Sequence, residues 1–434
     1  MIGIKLHHGQ VIFSMPELIS DQDAVYALEI VKDICSKAGP GLPGSPKERE
    51  RAAMIQKELE SHLGAQNVAV EEFTLAPRAF LGSLPAGAIF MLIAALMNIA
   101  AGHLPGLPSW IPATGSFLCS IASVSLIIFG YIRYSELFDP FFKKKQSVNV
   151  IGTLRKPGTQ NVKHLLILSG HHDSAWENTW IRLLGYGFYI TIPTIFIAMM
   201  TMLVLSTLQL TGAITANDGI MRSGTLRWAM LIYPVVPSIL FAMFFTKGGK
   251  AAGIVPGAAD NLSACALTVA MCKFLIKNPS YIPEETEIRF ITFGSEEAGL
   301  RGSRRYVERH LDELKRMDAR LLNFQVVAHP KITILTSDVN SVKNSPEMVK
   351  SLIESAERAG VPYKAKPNPI GAGGSDAGSF SQAGLKAATL LPFKVPQQIV
   401  AFYHQKWDRP EVLTIEPLLN VLKLAFEWVR NGGE

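Results

Sequence analysis

Charged residues are scarce: Asp, Glu, Lys and Arg make up 18% of the 434 residues, against about a quarter in an ordinary soluble domain. The deficit is local. No charged residue occurs from Ala79 to Ile132, from Leu183 to Asn217, or from Trp228 to Thr246. Cysteine is also rare, and Cys35, Cys119, Cys265 and Cys272 form no CxxC pair. A disulfide framework and a thiolate metal site are thereby excluded, and Cys265 and Cys272, in an apolar helical pattern, read as core. The opening residues have no long apolar stretch followed by a cleavage site, so no secretory signal is read and the N-terminus is expected in the cytoplasm. The net charge of +6 comes without any nucleic-acid-binding motif; several lysines instead flank apolar runs, as Lys143, Lys144 and Lys145 do, which fits membrane lipid rather than nucleic acid.

The uncharged runs match the length of a bilayer crossing, about 20 residues. A Gly/Pro-rich break, GHLPGLPSWIPATG at 102–115, divides the first run in two. The last run has 19 residues, with Pro234 and Pro237 as expected kinks. Spanning helices are predicted near 80–101, 112–132, 184–210 and 228–246, as two hairpins. Arg78, Lys143 to Lys145, Arg182, Lys247 and Lys250 all flank these runs on the side of the remaining sequence, whereas the first connector has no Lys or Arg and the second has Arg222, with Arg227 at its edge. The positive-inside rule then predicts a multi-pass protein of the cell membrane with a cytoplasmic catalytic domain. The predicted division is 15–78, 146–182 and 248–434 for the domain, with hairpins at 79–145 and 183–247.

Outside the hairpins, strand-like runs alternate with helical ones. NVAVEEFTL, HLLILSG (164–170), EIRFITFG (287–294), RLLNFQVVA (320–328), KITILT (331–336) and AATLLPF (387–393) read as strands; 17–38, 47–63, 261–276, 303–314 and 346–360 read as helices. This alternation predicts an α/β sheet with helices on both faces.

Polar clusters stand where the strands end: His171, His172 and Asp173 after LLILSG, Asp260 at the mouth of a helix, Glu296 and Glu297 after FITFGS, and His404 and Asp408 in FYHQKWD. Sites in open α/β sheets assemble beyond the carboxyl ends of strands. Imidazoles with carboxylates suit zinc. Of two adjacent glutamates, one can bind metal while its neighbour takes a proton from water, and a carboxylate between two metals can bridge them. Asp173, two residues after His171, fits the carboxylate that usually stands behind a histidine ligand.

The ordered set GHHDS, GAADN, SEEAGLRGS, GSDAGSF and YHQKWD, with the opening segment GLPGSPKERERAAMIQKELE…VAVEEF, resembles the co-catalytic di-zinc exopeptidase family of aminopeptidase Y, bacterial leucyl aminopeptidases and glutamate carboxypeptidase, with glutaminyl cyclases as relatives. The resemblance covers 40–75, 146–176 and 256–430. It implies a three-layer α/β/α sandwich with a mixed sheet, here carrying two inserted transmembrane hairpins, and a zinc-dependent aminopeptidase-type hydrolase acting on peptides. It implies one or two zinc ions, with His171 on the first, Asp260 bridging, Glu297 and His404 on the second, and Glu296 as general base. The family's acidic ligand in a strand reading like NLDMVG falls here on Gln325, a neutral and weaker ligand, and Ala377 stands where the family often has histidine. A single-zinc glutaminyl-cyclase-like enzyme and an inactive membrane scaffold are the alternatives. A four-helix transporter is disfavoured, because no Asp, Glu, Lys or Arg lies within the spans.

Overall fold

The computed structural model describes residues 4–7, 10–13, 19–101, 106–221, 253–338, 342–369 and 372–434. A short antiparallel hairpin, β1 (Ile4–His7) and β2 (Gln10–Phe13), precedes the main body. That body is built on one eight-stranded sheet. In chain order its strands are β3 (Val68–Leu75), β4 (Lys145–Arg155), β5 (His164–His171), β6 (Thr286–Phe293), β7 (Arg320–Phe324), β8 (Ile332–Leu335), β9 (Tyr363–Lys366) and β10 (Lys386–Leu391). In space the order is β3-β4-β6-β5-β7-β10-β8-β9. The central pairs β6–β5, β5–β7 and β7–β10 are parallel, while β3–β4, β4–β6 and β10–β8 are antiparallel. The sheet is therefore mixed, as the resemblance implied.

Alternation along each central strand builds two cores. Leu166 and Leu168 of β5, Ile288 and Phe290 of β6, and Leu322 and Phe324 of β7 face one side. Leu165 and Ile167, Ile291 and Phe293, and Leu321 face the other. The period of two follows from strand geometry, and a strand buried on both faces reads as a continuous apolar run. The first face is covered by α1 (Asp21–Lys37), α2 (Pro46–Leu63) and the buried helix Ser263–Lys277. Arg301–Arg316, with Tyr306 and Val307, covers the second.

β1, β2 and β9 have no counterpart in the sequence-based reading, and two further strands differ from it. β4 is absent from the sequence-based reading, which took Lys143–Lys145 as a membrane flank; the strand begins at Lys145 and pairs on both edges. RLLNFQVVA stops early, because the chain leaves the ladder after Phe324 and Val326 takes φ 47°, a conformation that β-branched residues rarely adopt.

Among the described residues, four helices are long and apolar enough to cross a membrane: Ala79–Ala100, Trp110–Ile132, Thr179–Ile214 and Ala258–Lys277. The last is the core helix, 89% of its most apolar window lying inside the protein. The first three coincide with expected spans, and the fourth expected span, 228–246, lies outside the described residues. Ala79–Ala100 and the long segment Phe188–Ile214 turn bare hydrocarbon outward, with Leu96, Ile190, Ile197 and Ile214 between 59% and 71% exposed. Polar groups are turned inward instead. Ser206 Oγ takes Asn98 Nδ2 at 3.2 Å and lies 2.8 Å from Ser120 Oγ, and Gln209 Nε2 donates to the Asn98 carbonyl at 2.8 Å. A bundle with apolar residues outside and polar residues inside inverts the soluble pattern and suits lipid surroundings.

Candidate metal centre

The carboxyl ends of β5, β6 and β7 lie side by side, since all three run parallel. His171 is the last residue of β5, Glu296 and Glu297 follow β6 by a short turn, and Gln325 follows β7 directly. Close backbone approach makes the β6 turn possible. A Cβ on Gly302 would come within 2.2 Å of the Gly294 carbonyl, and one on Gly294 within 2.4 Å of the Val148 carbonyl. Ser295 (φ 56°), Val326 (φ 47°) and His404 (φ 49°) all have left-handed backbones beside the cluster. Such conformations cost roughly 1–3 kcal/mol each and concentrate at functional sites.

Asp260 is the hub. Its Oδ1 lies 3.4 Å from His171 Nε2 and its Oδ2 lies 3.1 Å from His404 Nε2. Glu297 Oε1 is 3.0 Å from the same His404 nitrogen, and Glu296 Oε2 is 3.6 Å from His171 Nε2. His171, Asp260 and Glu297 each offer a ligand atom within 4.8 Å of the others. Asp173 stands behind: its Oδ1 is 3.3 Å from His171 Nδ1, and its two oxygens accept the N–H groups of Glu296 and Glu297, each at 3.0 Å.

Gln325 reaches the cluster, with Nε2 3.4 Å from His171 Nε2, while its Oε1 accepts Asn261 Nδ2 at 3.1 Å. Asn261 also donates to the Phe324 carbonyl and accepts the Val326 N–H, so it joins the Asp260 turn to the end of β7. The structure thus brings together all seven residues given a role at the site in the sequence analysis: His171, Asp173, Asp260, Glu296, Glu297, Gln325 and His404. His172, the other histidine of the GHHDS run, is buried, and burial lowers its pKa to about 4, leaving it a neutral core group.

Sequence reasoning missed the supports. Asp408, visible at the end of YHQKWD but given no role, accepts the N–H groups of Ala259 at 2.7 Å and Asp260 at 3.1 Å. Arg51, fully buried, donates to the carbonyls of Gly39, His172 and Pro256, tying the opening segment to both metal-centre turns. Nothing local distinguishes Arg51 from the exposed Arg49 and Glu50 in KERERAA except its place on the inner face of α2.

The electrostatics show what the pocket lacks. Burial disfavours charge on His404, yet Glu297 and Asp260 outweigh it and push the imidazole up to about 10. Burial likewise opposes an imidazolium at His171, but Glu296 and Asp173 drive its pKa well above the ordinary value. Burial raises Glu296 far above the carboxylate range, the neighbouring Glu297 and Asp376 adding to it against His171. Asp260 is held below its usual range because the two imidazoles overcome the effect of burial. Both Asp260 oxygens, Glu297 Oε1 and His404 Nε2 lack a hydrogen-bond partner. Buried polar atoms are normally satisfied; a convergent set that is not, made of carboxylate and imidazole donors, fits a divalent cation of the zinc type.

Residues 245–429 match the family model for peptidase family M28. Aminopeptidase YwaD of Bacillus subtilis is 31% identical over 165 residues, which is 37% of this chain and 31% of that protein; the chain spans about a third of the relative's length. BSAP, a zinc aminopeptidase from Bacillus subtilis, superimposes with a TM-score of 0.52 at 15% identity, covering 94% of this chain and 95% of its own. A glutaminyl cyclase from Fimbriiglobus ruber does so at 0.51 and 14%, covering 96% and 97%. At such identities the structural likenesses speak for the fold, while the matched segment holds Asp260, Glu296, Glu297, Gln325 and His404. Over residues 245–429 the chain is thus similar to peptidase family M28, in line with the co-catalytic zinc exopeptidases that its motifs resemble.

Proposed function

We propose that the chain is a membrane-inserted zinc peptidase of the aminopeptidase type, acting on peptides held at or near the bilayer. The observation that supports this most directly is Asp260, whose two oxygens face His171 on one side and His404 on the other. In this reading Asp260, His171, Gln325, Glu297 and His404 would hold the metal, with Asp260 placed between the other two pairs. Zinc, when bound, acidifies water and polarises the scissile carbonyl. The residues do the rest. Glu296, unburdened by ligation, takes the proton of the attacking water and hands it to the departing amine. Asp173 fixes the backbone of Glu296 and orients His171. Residues 15–78, 146–182 and 248–434 form the peptidase domain, interrupted by membrane hairpins at 79–145 and 183–247, with the domain on the cytoplasmic side.

Metal analysis and leucinamide hydrolysis on purified protein test this together. Glu296→Gln should lower kcat at least about 100-fold with metal content unchanged. Glu297→Ala and His404→Ala should release metal. Hydrolysis that ignores Glu296→Gln would overturn the assignment.

A further inference from the structure

The metal centre opens into a cavity of roughly 290 Å³ that runs along the apolar helices Ala79–Ala100 and Phe188–Ile214. Glu296, Glu297, Gln325 and His404 line one end, and every lining residue from those two helices is apolar, among them Leu84, Ile192, Ile195 and Met199. From Phe188 to Met199 the wall extends about 16 Å along the helix axis. Helix backbones satisfy their own N–H and C=O groups. A peptide strand lying on this wall would leave its backbone polar groups unpaired in an apolar slot, which is costly. A hydrocarbon chain would leave none. Phe196, a lining residue, is 52% exposed at the outer face of the bundle, so the slot continues to the surface assigned above to lipid.

We propose that the substrate is an amphiphile, an amino-acid amide bearing a long hydrocarbon chain. Its amide sits at the Asp260 cluster and its chain lies along Ile192, Ile195 and Met199. The inference rests on the hydrolase reading above and narrows its substrate from peptides in general to an aminoacyl amide whose departing amine carries the hydrocarbon chain. The reaction balances as a hydrolysis: the amide C–N bond breaks, the water oxygen bonds to the carbonyl carbon, one water proton passes through Glu296 to the amine, and the second follows as the carboxyl group ionises. A carboxylate and a long-chain ammonium leave, and no further reactant is consumed.

The test uses the full chain, loaded with zinc, in phosphatidylcholine nanodiscs, with leucine n-alkylamides from butyl to dodecyl. Long chains partition into lipid and raise the rate of any variant alike, so the readout is the ratio of native to Met199→Trp kcat/KM at each length. That ratio should rise about tenfold from butyl to dodecyl, well short of the roughly fourfold per methylene that transfer from water allows, because the chain comes from lipid. Leu208→Trp, on the outward face of the same helix, should show a flat ratio. Ile195→Trp, one turn away on the same wall, repeats the measurement should Met199→Trp fail to fold. A flat ratio for both cavity variants, with leucine alkylamides still hydrolysed, overturns the hydrocarbon subsite and leaves the hydrolase reading standing. No hydrolysis of leucinamide or any alkylamide by the zinc-loaded native protein brings down both.

Discussion

Asp173 Oδ1 accepts the backbone N–H of Glu296 at 3.0 Å, while the same oxygen lies 3.3 Å from His171 Nδ1. One buried carboxylate therefore stands beside an imidazole of the candidate metal centre and holds the backbone of the glutamate proposed as base. Charged hydrogen bonds of this kind are about twice as strong as neutral ones.

Asp173→Asn tests that coupling. An amide offers one acceptor where two are needed, and its NH2 would confront the N–H of Glu296 or Glu297. Loss of such supporting contacts commonly costs 10–100-fold, and kcat/KM for leucinamide should fall by about that factor. Metal titration should show weakened affinity as well, since His171 loses its fixed orientation. Asp173→Glu should not rescue either property, because Asp173 is fully buried and a longer side chain would move its carboxylate off the two N–H groups it accepts.

On the proposed ligand set, Gln325 would set the metal stoichiometry. Its Oε1 is engaged by Asn261, which leaves Asp260, Glu297 and His404 as the more complete set of ligands. The native protein should bind one zinc tightly and a second weakly. Gln325→Glu keeps the length of the side chain and adds the missing charge, so it should raise affinity for the second ion by about 10-fold or more. Equilibrium dialysis against zinc reads both sites, and equal stoichiometry in the two proteins would argue for a single-metal centre of the glutaminyl-cyclase kind.

Acid should weaken the β6–helix contact far from the metal centre. Arg289 of β6 binds Glu313 through Nη1 at 3.0 Å and Nη2 at 2.6 Å, and these bonds hold the Glu313 carboxyl below its usual range. A carboxyl lowered in the folded state adds stability above its unfolded pKa, near 4.5, and that stability is lost as pH falls through the folded value. Glu313→Gln should therefore lower the melting temperature by about 1–3 °C at pH 7, since the pair is partly exposed. The gap should close progressively below pH 4.5, and added salt should shrink it. Differential scanning of both proteins across pH 3 to 7 measures this.

The proposed topology rests on the charges that flank the apolar runs. Reporters fused at residues 108 and 218 should read outside and one at 434 inside, as the lysines flanking the domain require. A C-terminal reporter found outside would reverse the orientation and show that Arg222 and Arg227 prevail over Lys143 to Lys145.

The sequence by itself determined the layers. Apolar runs such as LLILSG and EIRFITFG can be buried on both faces only inside a sheet covered twice, and the loss of all charge from Ala79 to Ile132 separates lipid-type helices from that sheet. It also placed His171 and Glu296 at strand ends, because the polar residues begin where the apolar runs stop. Only the tertiary structure decided what these ends meet. Strand order is set by long-range pairing, so nothing in 145–155 alone announces that β4 stands between β3 and β6. Arg51 and Asp408 act through backbone carbonyls and N–H groups distant in sequence, and main-chain partners leave no mark on residue identity. The cavity is likewise a property of the fold: Leu84, Ile195 and Met199 read as bilayer-facing hydrocarbon until packing turns them toward the metal centre.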